Sequence, residues 1–262
     1  MQQRLEFAKQ IALEAGKFTL PFFRDASIVV EQKADMTPVT AADRGAELLL
    51  RKRIEEMFPD DAILGEEFPE KRGGSGWQWI LDPIDGTKSF IHGVPLYSTL
   101  VGVRHGDESL IGVIELPALG ERVWAAKSVG AWREGKYFDK PVRAEVSKTK
   151  SFGEALLLTS EIRTFQKQKC SNVFDALEAE AGLTRTWGDA YGYALVATGR
   201  ADVMVDPALS IWDAGPLLII MQESGGCFSG WNGKQSIEVA NAIAANSILH
   251  AETLKICQLS SQ

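Results

Sequence analysis

The stretch that decides the fold reads Trp79-Ile80-Leu81-Asp82-Pro83-Ile84-Asp85-Gly86-Thr87. Its apolar beginning predicts a buried strand, which cannot simply continue because Pro83 fixes φ and lacks a backbone donor. Gly86 then permits a backbone angle that other residues resist. The strand therefore ends by bringing two carboxylates, a carbonyl, a hydroxyl and free amides to one point, a donor set that suits a hard cation together with an anion.

The chemistry of this strand end predicts a magnesium-dependent phosphatase. Mg²⁺ takes oxygen ligands in octahedral geometry, keeps several waters and is often shared with a substrate phosphate. A buried carboxylate without a cation or hydrogen-bond donors is costly, so Asp82 at the end of so apolar a strand favours a functional site over a simple turn.

Composition limits the class of protein. The chain has 262 residues, 45% of them hydrophobic, enough for one large domain or two closely packed ones. Its net charge is −7 and it has no basic stripe, so we expect no nucleic-acid partner. No apolar run reaches membrane-spanning length, so we expect no membrane partner.

The N-terminus has no secretory h-region, and three widely spaced cysteines predict neither disulfides nor zinc; we therefore expect a cytoplasmic protein.

Periodicity divides the chain into two halves. The N-terminal half, 1–147, is predicted as α+β with an antiparallel sheet over its β-rich segments. Its predicted elements are helices 4–23 and 41–57, a strand 27–34, a turn 35–38, and strands 62–64, 77–82, 97–104, 109–116, 121–127 and 130–138. Within helix 41–57 we expect the apolar residues Leu48, Leu49, Ile54 and Met57 to face inward.

The C-terminal half, 148–262, alternates strands and helices, which predicts an α/β arrangement. Its predicted elements are strands 155–159, 183–187, 202–205 and 240–245, and helices 161–181, 190–199, 212–224 and 247–258.

Further acidic residues lie where predicted elements begin or end. Glu66 follows a short strand, Asp43 lies near the start of helix 41–57, and Asp213 precedes an apolar helix. Loop ends on rigid scaffolds are where functional sites are usually built. Structural roles compete at each position, since Asp213 and Asp43 are also good helix-capping or first-turn residues and Glu66 could be a solvated turn.

Four motifs in order make the chain resemble the inositol monophosphatase superfamily of Mg²⁺-dependent, lithium-sensitive phosphatases. They are Thr40-Ala41-Ala42-Asp43, Gly65-Glu66-Glu67, Asp82-Pro83-Ile84-Asp85-Gly86-Thr87 and Trp212-Asp213-Ala214-Gly215. The resemblance implies a layered αβαβα sugar-phosphatase-like fold, with an antiparallel sheet in the N-terminal half and a mixed sheet in the C-terminal half. It also implies a homodimer.

The resemblance assigns metal ligands. Glu66, Asp82 and the Ile84 carbonyl would hold one Mg²⁺, and Asp82, Asp85 and Asp213 a second. A third, looser ion would depend on Glu66. Two to three ions are thus implied, with Mn²⁺ as a possible substitute and Li⁺ and Ca²⁺ as expected inhibitors.

The resemblance also assigns roles in catalysis and substrate binding. Asp43 and Thr87 would orient and deprotonate the attacking water, with Glu66 as a third catalytic residue, and the amides of Gly86 and Thr87 would face the phosphate. The substrate-binding residues would be Asp85, Gly86, Thr87, Gly188, Asp189 and Asp206.

We expect residues of the C-terminal half to determine which alcohol the substrate ester carries. The runs Gly188-Asp189-Ala190-Tyr191-Gly192-Tyr193 and Met204-Val205-Asp206-Pro207, together with Lys88-Ser89-Phe90, look like the histidinol-phosphatase branch. Histidinol phosphate carries an ammonium and an imidazole, which Asp189 and Asp206 could bind through charge-assisted hydrogen bonds. Both could instead be structural. The alternatives to histidinol phosphate as substrate are inositol-1-phosphate, a nucleoside 3′,5′-bisphosphate and fructose bisphosphate.

Other classes of protein fit the sequence poorly. Haloacid dehalogenases need their two aspartates two positions apart, whereas Asp82 and Asp85 are three apart. A serine hydrolase needs Gly-x-Ser-x-Gly, which the segment 73–77 lacks, and the chain has neither a P-loop nor a dinucleotide fingerprint. A non-catalytic binding protein on the same fold would have lost a ligand or a water-activating residue, but all expected positions are filled.

Overall fold

The computed structural model describes residues 1–33 and 36–260. Its helices are α1 (Gln2–Thr19), α2 (Ala41–Met57), α3 (Thr87–Ile91), α4 (Ile162–Lys167), α5 (Ser171–Glu180), α6 (Ala190–Ala197), α7 (Ile211–Glu223) and α8 (Ser247–Ser260). Its strands are β1 (Val30–Gln32), β2 (Pro38–Thr40), β3 (Ala62–Gly65), β4 (Trp77–Asp85), β5 (Ser98–His105), β6 (Glu108–Leu116), β7 (Glu121–Ala126), β8 (Gly130–Gly135), β9 (Val142–Arg143), β10 (Leu156–Leu158), β11 (Leu183–Arg185), β12 (Val203–Asp206), β13 (Cys227–Ser229) and β14 (Ala242–Ala245). The predicted strand 27–34 and turn 35–38 extend into residues 34 and 35, which lie outside the described residues.

Within the described residues, β3 to β9 form a seven-stranded sheet in sequence order. The pair β3–β4 is parallel and every other neighbouring pair is antiparallel. The predicted antiparallel sheet of the N-terminal half is therefore confirmed, with one parallel pair at its edge.

Strand β4 is apolar without alternation because both faces of this sheet are covered. Trp79 and Leu81 point into a cluster with residues of α1 and α2, such as Ile11 and Leu50. Ile80, between them, points to the opposite face and packs in the cluster that contains α7. Successive strand residues face opposite sides, so two covering layers require a continuous apolar run.

Helix α7 lies unusually close to the sheet because glycines remove the side chains between them. A Cβ built on Gly102 of β5 would lie 2.7 Å from the carbonyl carbon of Gly215, and one on Gly112 of β6 would lie 2.3 Å from the Pro216 oxygen. Neither approach is compatible with a larger residue unless the backbone moves. The glycines therefore set how near the start of α7, which carries Asp213, comes to the end of β4.

The second sheet has the order β11-β10-β12-β14-β13. Strands β11, β10 and β12 are parallel, while β14 is antiparallel to both of its neighbours, so the predicted mixed sheet is confirmed. The carboxyl ends of the three parallel strands meet at one edge, which brings the segments after β10, β11 and β12 together.

The elements stack in five layers, as the αβαβα prediction requires. Helices α1 and α2 cover the outer face of the first sheet, and α6 and α7 lie between the two sheets. Helices α4, α5 and α8 cover the outer face of the second sheet. One buried cluster joins the sheets through Ile80, Leu100, Leu158 and Met204. The predicted division of the chain between residues 147 and 148 falls in the irregular segment 144–151 and stays a prediction.

Two predicted helices differ from the observed ones, one by ending early and one by being divided. Helix α1 stops at Thr19, and a 3₁₀ turn, Leu20–Phe22, follows at the predicted interruption by Pro21. The predicted helix 161–181 is divided into α4 and α5, since Lys169 has a left-handed φ of 58° between them. Across the described residues, no helix combines the length and apolarity needed to cross a bilayer.

Candidate active site

The end of β4 is irregular, and the irregularity turns its carboxylates to one side. The pairing register with β5 shifts between Asp82 and Asp85, on either side of Pro83. Asp82 accepts a hydrogen bond from the Ile84 amide at 3.0 Å, which tightens the turn. The Ile84 carbonyl accepts one from the Thr87 hydroxyl at 3.1 Å.

Three aspartates from distant parts of the chain meet at this point. Asp82, Asp85 and Asp213 each offer a carboxylate oxygen, and these oxygens all lie within 4.8 Å of one another. Asp213 comes from the first turn of α7, where it also accepts a hydrogen bond from the Ser210 amide at 2.9 Å in a capping box. The helix-cap role and the cluster role that the sequence left as alternatives are thus filled by one side chain.

The electrostatics of the cluster favour a cation. Burial, and then the charges of neighbouring carboxylates, raise the pKa of Asp82 and the pKa of Asp85 well above their ordinary values. Burial also raises the pKa of Asp213, against the hydrogen bond from Ser210. Carboxylates this close are stable as anions only when positive charge compensates them. An all-oxygen donor set is what Mg²⁺, Mn²⁺ and Ca²⁺ prefer, so the residues present fit a divalent metal ion.

Glu66 lies at the edge of this cluster and is held by a lysine. Lys33 donates to Glu66 Oε1 at 2.6 Å and to Glu67 Oε1 at 2.5 Å. Burial alone would lower the pKa of Lys33, but these hydrogen bonds raise it above the ordinary value. An ammonium therefore already occupies one side of Glu66, which shows that this part of the site accommodates positive charge.

Asp43 and Thr87 form a second polar unit beside the cluster. The Asp43 carboxylate accepts hydrogen bonds from the Thr40 amide at 2.8 Å and the Thr40 hydroxyl at 2.6 Å. Its other oxygen lies 3.3 Å from the Thr87 hydroxyl, whose single proton this carboxylate shares with the Ile84 carbonyl. Burial raises the pKa of Asp43, with the hydrogen bonds from Thr40 opposing. The pair is a fixed hydroxyl–carboxylate unit of the kind that can orient a water and accept its proton.

Gly86 leaves room that a side chain would fill. Its φ is 82°, in the left-handed region, and a Cβ there would lie 2.8 Å from Asp189 Oδ2. It is the N-cap of α3, so the amides that follow it have no acceptor in a preceding turn of that helix.

Two cavities meet at the cluster. The first, of about 240 Å³, contains the acidic residues and the start of α3; its lining includes Glu66, Asp82, Ile84, Asp85, Gly86, Thr87, Lys88, Asp189 and Asp213. The second, of about 230 Å³, extends toward the second sheet; its lining includes Asp85, Lys88, Ser160, Glu161, Thr164, Asp189, Tyr193, Asp206 and Asp213. Asp85, Lys88, Asp189 and Asp213 line both, so the two cavities share a wall at the cluster.

The second cavity is acidic on the side of the parallel strands. Asp189 follows β11, and its carboxylate also interacts electrostatically with Asp85. Asp206 ends β12 and is almost fully buried. Burial raises the pKa of Asp206 to about 6. Gly188 packs against the backbone of Ser160, where a Cβ would lie 2.2 Å from the Ser160 Cα, so glycine is required for the loop after β11 to approach the loop after β10.

The structure brings every sequence-predicted site residue to these two cavities or their immediate surroundings. Asp43 contacts Thr87 in the first cavity, and Gly188 supports the wall of the second. Four groups that sequence reasoning did not assign to the site also belong there: Lys33, Lys88, Ser160 and Glu161. Ser160 and Glu161 follow a parallel strand directly, and that position is the signal that could have identified them.

Comparison with known proteins agrees with this geometry. The model of the inositol monophosphatase family matches residues 1–262. A histidinol-phosphatase of Chlorobaculum parvum is 42% identical over 250 residues, which cover 95% of this chain and 94% of that protein. A histidinol-phosphatase of Streptomyces coelicolor is 36% identical and covers 95% of each chain.

A solved structure shows the same fold. The IMPase of Thermotoga maritima superimposes with a TM-score of 0.88 at 29% identity, covering 99% of this chain and 98% of that one. The match therefore covers nearly the whole chain rather than the metal-site motifs alone.

Proposed function

We propose that this chain, which belongs to the inositol monophosphatase family, hydrolyses L-histidinol phosphate to L-histidinol and phosphate. The observation that carries the proposal is the acidic second cavity, where Asp189 and Asp206 lie directly beside the carboxylate cluster. A phosphate ester held at the cluster would place its alcohol against the Asp189 carboxylate, with the negative charge of Asp206 behind it, whose hydrogen bonds are made within the protein. An alcohol with an ammonium and an imidazole complements that wall, whereas one with only hydroxyls gains less from it.

We propose that the resident cofactor is Mg²⁺, with two to three ions bound and Mn²⁺ able to substitute. Glu66, Asp82, Asp85, Asp213 and the Ile84 carbonyl would hold these ions. Bound divalent ions neutralise the phosphate charge, lower the pKa of a bound water and stabilise the leaving oxygen. Ca²⁺ and Li⁺ are proposed inhibitors, since they meet the same oxygen ligands with different geometry or charge.

The chain's own residues would supply positioning and proton transfer. The Thr87 hydroxyl, held between Asp43 and the Ile84 carbonyl, would orient the attacking water, and Asp43 would receive its proton through Thr87. The amides of Gly86 and Thr87 would donate to the phosphate oxygens. Phosphoryl transfer needs mainly such positioning and charge stabilisation, so no covalent intermediate is required.

Glu66 would contribute by orienting the nucleophile at the edge of the cluster. Lys33 would have to share or release the Glu66 carboxylate when a metal ion binds, because the ammonium and the ion would contact the same carboxylate. We propose Glu66, Asp43 and Thr87 as the catalytic residues on these grounds.

We propose further that the enzyme is a cytoplasmic homodimer without a nucleic-acid or membrane partner. None of its three cysteines, all within the described residues, forms a disulfide, which suits a reducing compartment, and its net charge of −7 does not favour polyanions. The dimer rests on the family resemblance.

A phosphate-release panel tests the proposed substrate. Purified protein with Mg²⁺ is assayed against L-histidinol phosphate, inositol-1-phosphate, a nucleoside 3′,5′-bisphosphate and fructose 1,6-bisphosphate. We expect the highest kcat/KM for L-histidinol phosphate. A higher kcat/KM for any of the other three would reject the proposed substrate, and no metal-dependent release from any of them would reject catalysis.

A further inference from the structure

Asp206, although acidic and buried beside the second cavity, has no acceptor position left for a ligand. Its Oδ1 accepts from the Thr159 hydroxyl at 3.2 Å and the Ser160 amide at 2.9 Å. Its Oδ2 accepts from the Ser160 hydroxyl and the Tyr193 hydroxyl, both at 3.0 Å. A carboxylate has about four lone-pair sites, so all are in use. Asp206 can contribute negative charge, but its direct hydrogen bonds go to the protein.

Glu161, on the rim of the same cavity, has an acceptor to offer. It follows β10 at the start of α4, and its side chain is 35% exposed. Both of its hydrogen bonds, from Lys88 at 2.9 Å and from Thr164 at 3.0 Å, use Oε2. Among the described residues, no hydrogen bond reaches Oε1. The hydrogen bond from Lys88 also lowers the pKa of Glu161, so the group is an anion at neutral pH.

Glu161 has two cationic partners on Oε2: Lys88, which lies between the two cavities, and Lys167, whose ammonium is 4.0 Å away. Lys88 is the second residue of α3, directly after the segment that turns toward the phosphate side, and it lines both cavities. The Lys88–Glu161 ion pair therefore spans the route between the proposed phosphate position and the alcohol position. An exposed ion pair of this kind contributes little to stability, so exchanging it for contacts with a ligand costs little.

The order of the acidic groups along the cavity matches the order of groups in the substrate. Asp189 lines both cavities and so lies nearer the reacting ester, whereas Glu161 lines the second cavity alone. In histidinol phosphate the ammonium is on the carbon next to the ester carbon, and the imidazole is farther out. Asp189 is thus in place for the ammonium, and Glu161 for the imidazole.

We infer that Glu161 is a specificity-determining residue that accepts the imidazole N–H of the substrate, with Lys88 turning from Glu161 toward the phosphate as the substrate binds. The inference rests on the proposed function, since it assumes histidinol phosphate as the substrate. When histidinol phosphate binds, the Lys88–Glu161 ion pair is replaced by two contacts, Lys88 with the phosphate and Glu161 with the imidazole. An ester with a neutral alcohol makes only the contact with Lys88.

The test compares Glu161→Gln with the wild-type protein on three esters in Mg²⁺. L-histidinol phosphate has both cationic groups, O-phosphoethanolamine has the ammonium without the imidazole, and glycerol 1-phosphate has neither; a poor substrate is measured as a competitive inhibitor. We expect KM for L-histidinol phosphate to rise about threefold to tenfold, as for loss of a charge-assisted hydrogen bond at a part-exposed site, with kcat within twofold. KM or Ki for the other two esters should not rise; a small fall is expected, because Lys88 no longer has to leave a charged partner.

The pH profile and a control variant exclude a merely structural role. The ratio of variant to wild-type KM should be larger at pH 6, where more of the imidazole is protonated, than at pH 8.5, because imidazole titrates near 6.5. Glu154→Gln removes an exposed carboxylate that does not line the cavity and should leave all three constants unchanged.

Two results would overturn the role of Glu161: an unchanged KM for L-histidinol phosphate, or an equal rise for O-phosphoethanolamine. Either result leaves the proposed function standing. If instead the wild-type protein fails to hydrolyse L-histidinol phosphate but hydrolyses another ester, the proposed function fails, and this inference fails with it.

Discussion

Gly102 in β5 and Gly215 in α7 touch through their backbones, since a Cβ on Gly102 would lie 2.7 Å from the Gly215 carbonyl carbon. Asp213 is two residues before Gly215, on the same helix. The distance between this helix and the sheet therefore sets the distance between Asp213 and the aspartates at the end of β4. A packing contact between two residues without side chains thus fixes the geometry of a charged site.

We expect Gly102→Ala to weaken metal binding although residue 102 touches no ligand. The added methyl group must move α7 outward, which should cost about 1–3 kcal/mol of unfolding free energy and raise the Mg²⁺ concentration needed for half-maximal activity. Gly74→Ala is the control, because a Cβ there has nothing within 4 Å. Unchanged Mg²⁺ dependence in a folded Gly102→Ala protein would contradict the coupling.

We expect Asp213→Asn to separate metal binding from folding. The amide oxygen can still accept from Ser210, so the start of α7 should persist, while one negative charge leaves the cluster. In EDTA the melting temperature should be equal to or above that of the wild type, because repulsion among the carboxylates falls. Activity should fall more than about 100-fold with loss of a metal ligand.

Thermal melts with added Mg²⁺ check the same variant independently of turnover. A ligand that binds only the folded state stabilises it by about 2.7 kcal/mol at 100 times its Kd. We expect this Mg²⁺-dependent rise in the wild type and a much smaller rise in Asp213→Asn. Equal rises in the two proteins would show that Asp213 does not hold the ion.

The structure brings the predicted site residues together because their motifs lie at the ends of strands and helices that meet in the fold. The sequence predicted the inward face of α2 only in part, since Ile54 is buried and Leu49 packs against the core as expected. Leu48 and Met57, expected to face inward, are 53% and 49% exposed, and the buried face instead carries Asp43 and Glu47. Glu47 is buried because it accepts from the Glu67 amide and from Arg51, both at 2.7 Å. The buried side of α2 therefore combines apolar residues with two carboxylates, which the hydrophobic pattern alone does not indicate.

Long-range contacts account for the rest of what the sequence could not predict. Lys33 is 33 residues from Glu66, and Glu161 is 73 residues from Lys88, and no local pattern relates such pairs. Strand β13 was not predicted at all; it is three residues long and is defined by its pairing with β14. These features follow from tertiary packing, which propensity and periodicity do not record.

We expect Thr87→Val to reduce kcat with little effect on KM. The substitution keeps the β-branched shape and removes the hydroxyl that joins Asp43 to the Ile84 carbonyl, so the proposed water loses its orienting group. The loss should be about 10²–10⁴-fold, the usual range for a positioned proton-transfer group. Thr87→Ser restores the hydroxyl and should recover most of the rate. If Thr87→Ser is as slow as Thr87→Val, the hydroxyl is not the group that matters.

His250 is expected to make stability depend on pH at a place remote from the active site. It is buried in α8, and its Nε2 lies 2.8 Å from the Ser229 hydroxyl. Burial lowers the pKa of His250 below the ordinary 6.5, so between the two values the unfolded chain binds the proton more readily. The stability that the neutral imidazole contributes is therefore present above pH 6.5 and is lost as the pH falls through the lower, folded-state pKa.

Urea unfolding at pH 8 and pH 5.5 measures this contribution when wild-type protein is compared with His250→Gln. The variant retains a polar side chain for Ser229 but cannot be protonated, so its stability should fall less between the two pH values. His92→Gln is the matched control, because His92 is an exposed residue. It should follow the wild-type dependence. An identical pH dependence in wild type and His250→Gln would mean that His250 keeps its proton affinity on folding, contrary to its burial against the second sheet.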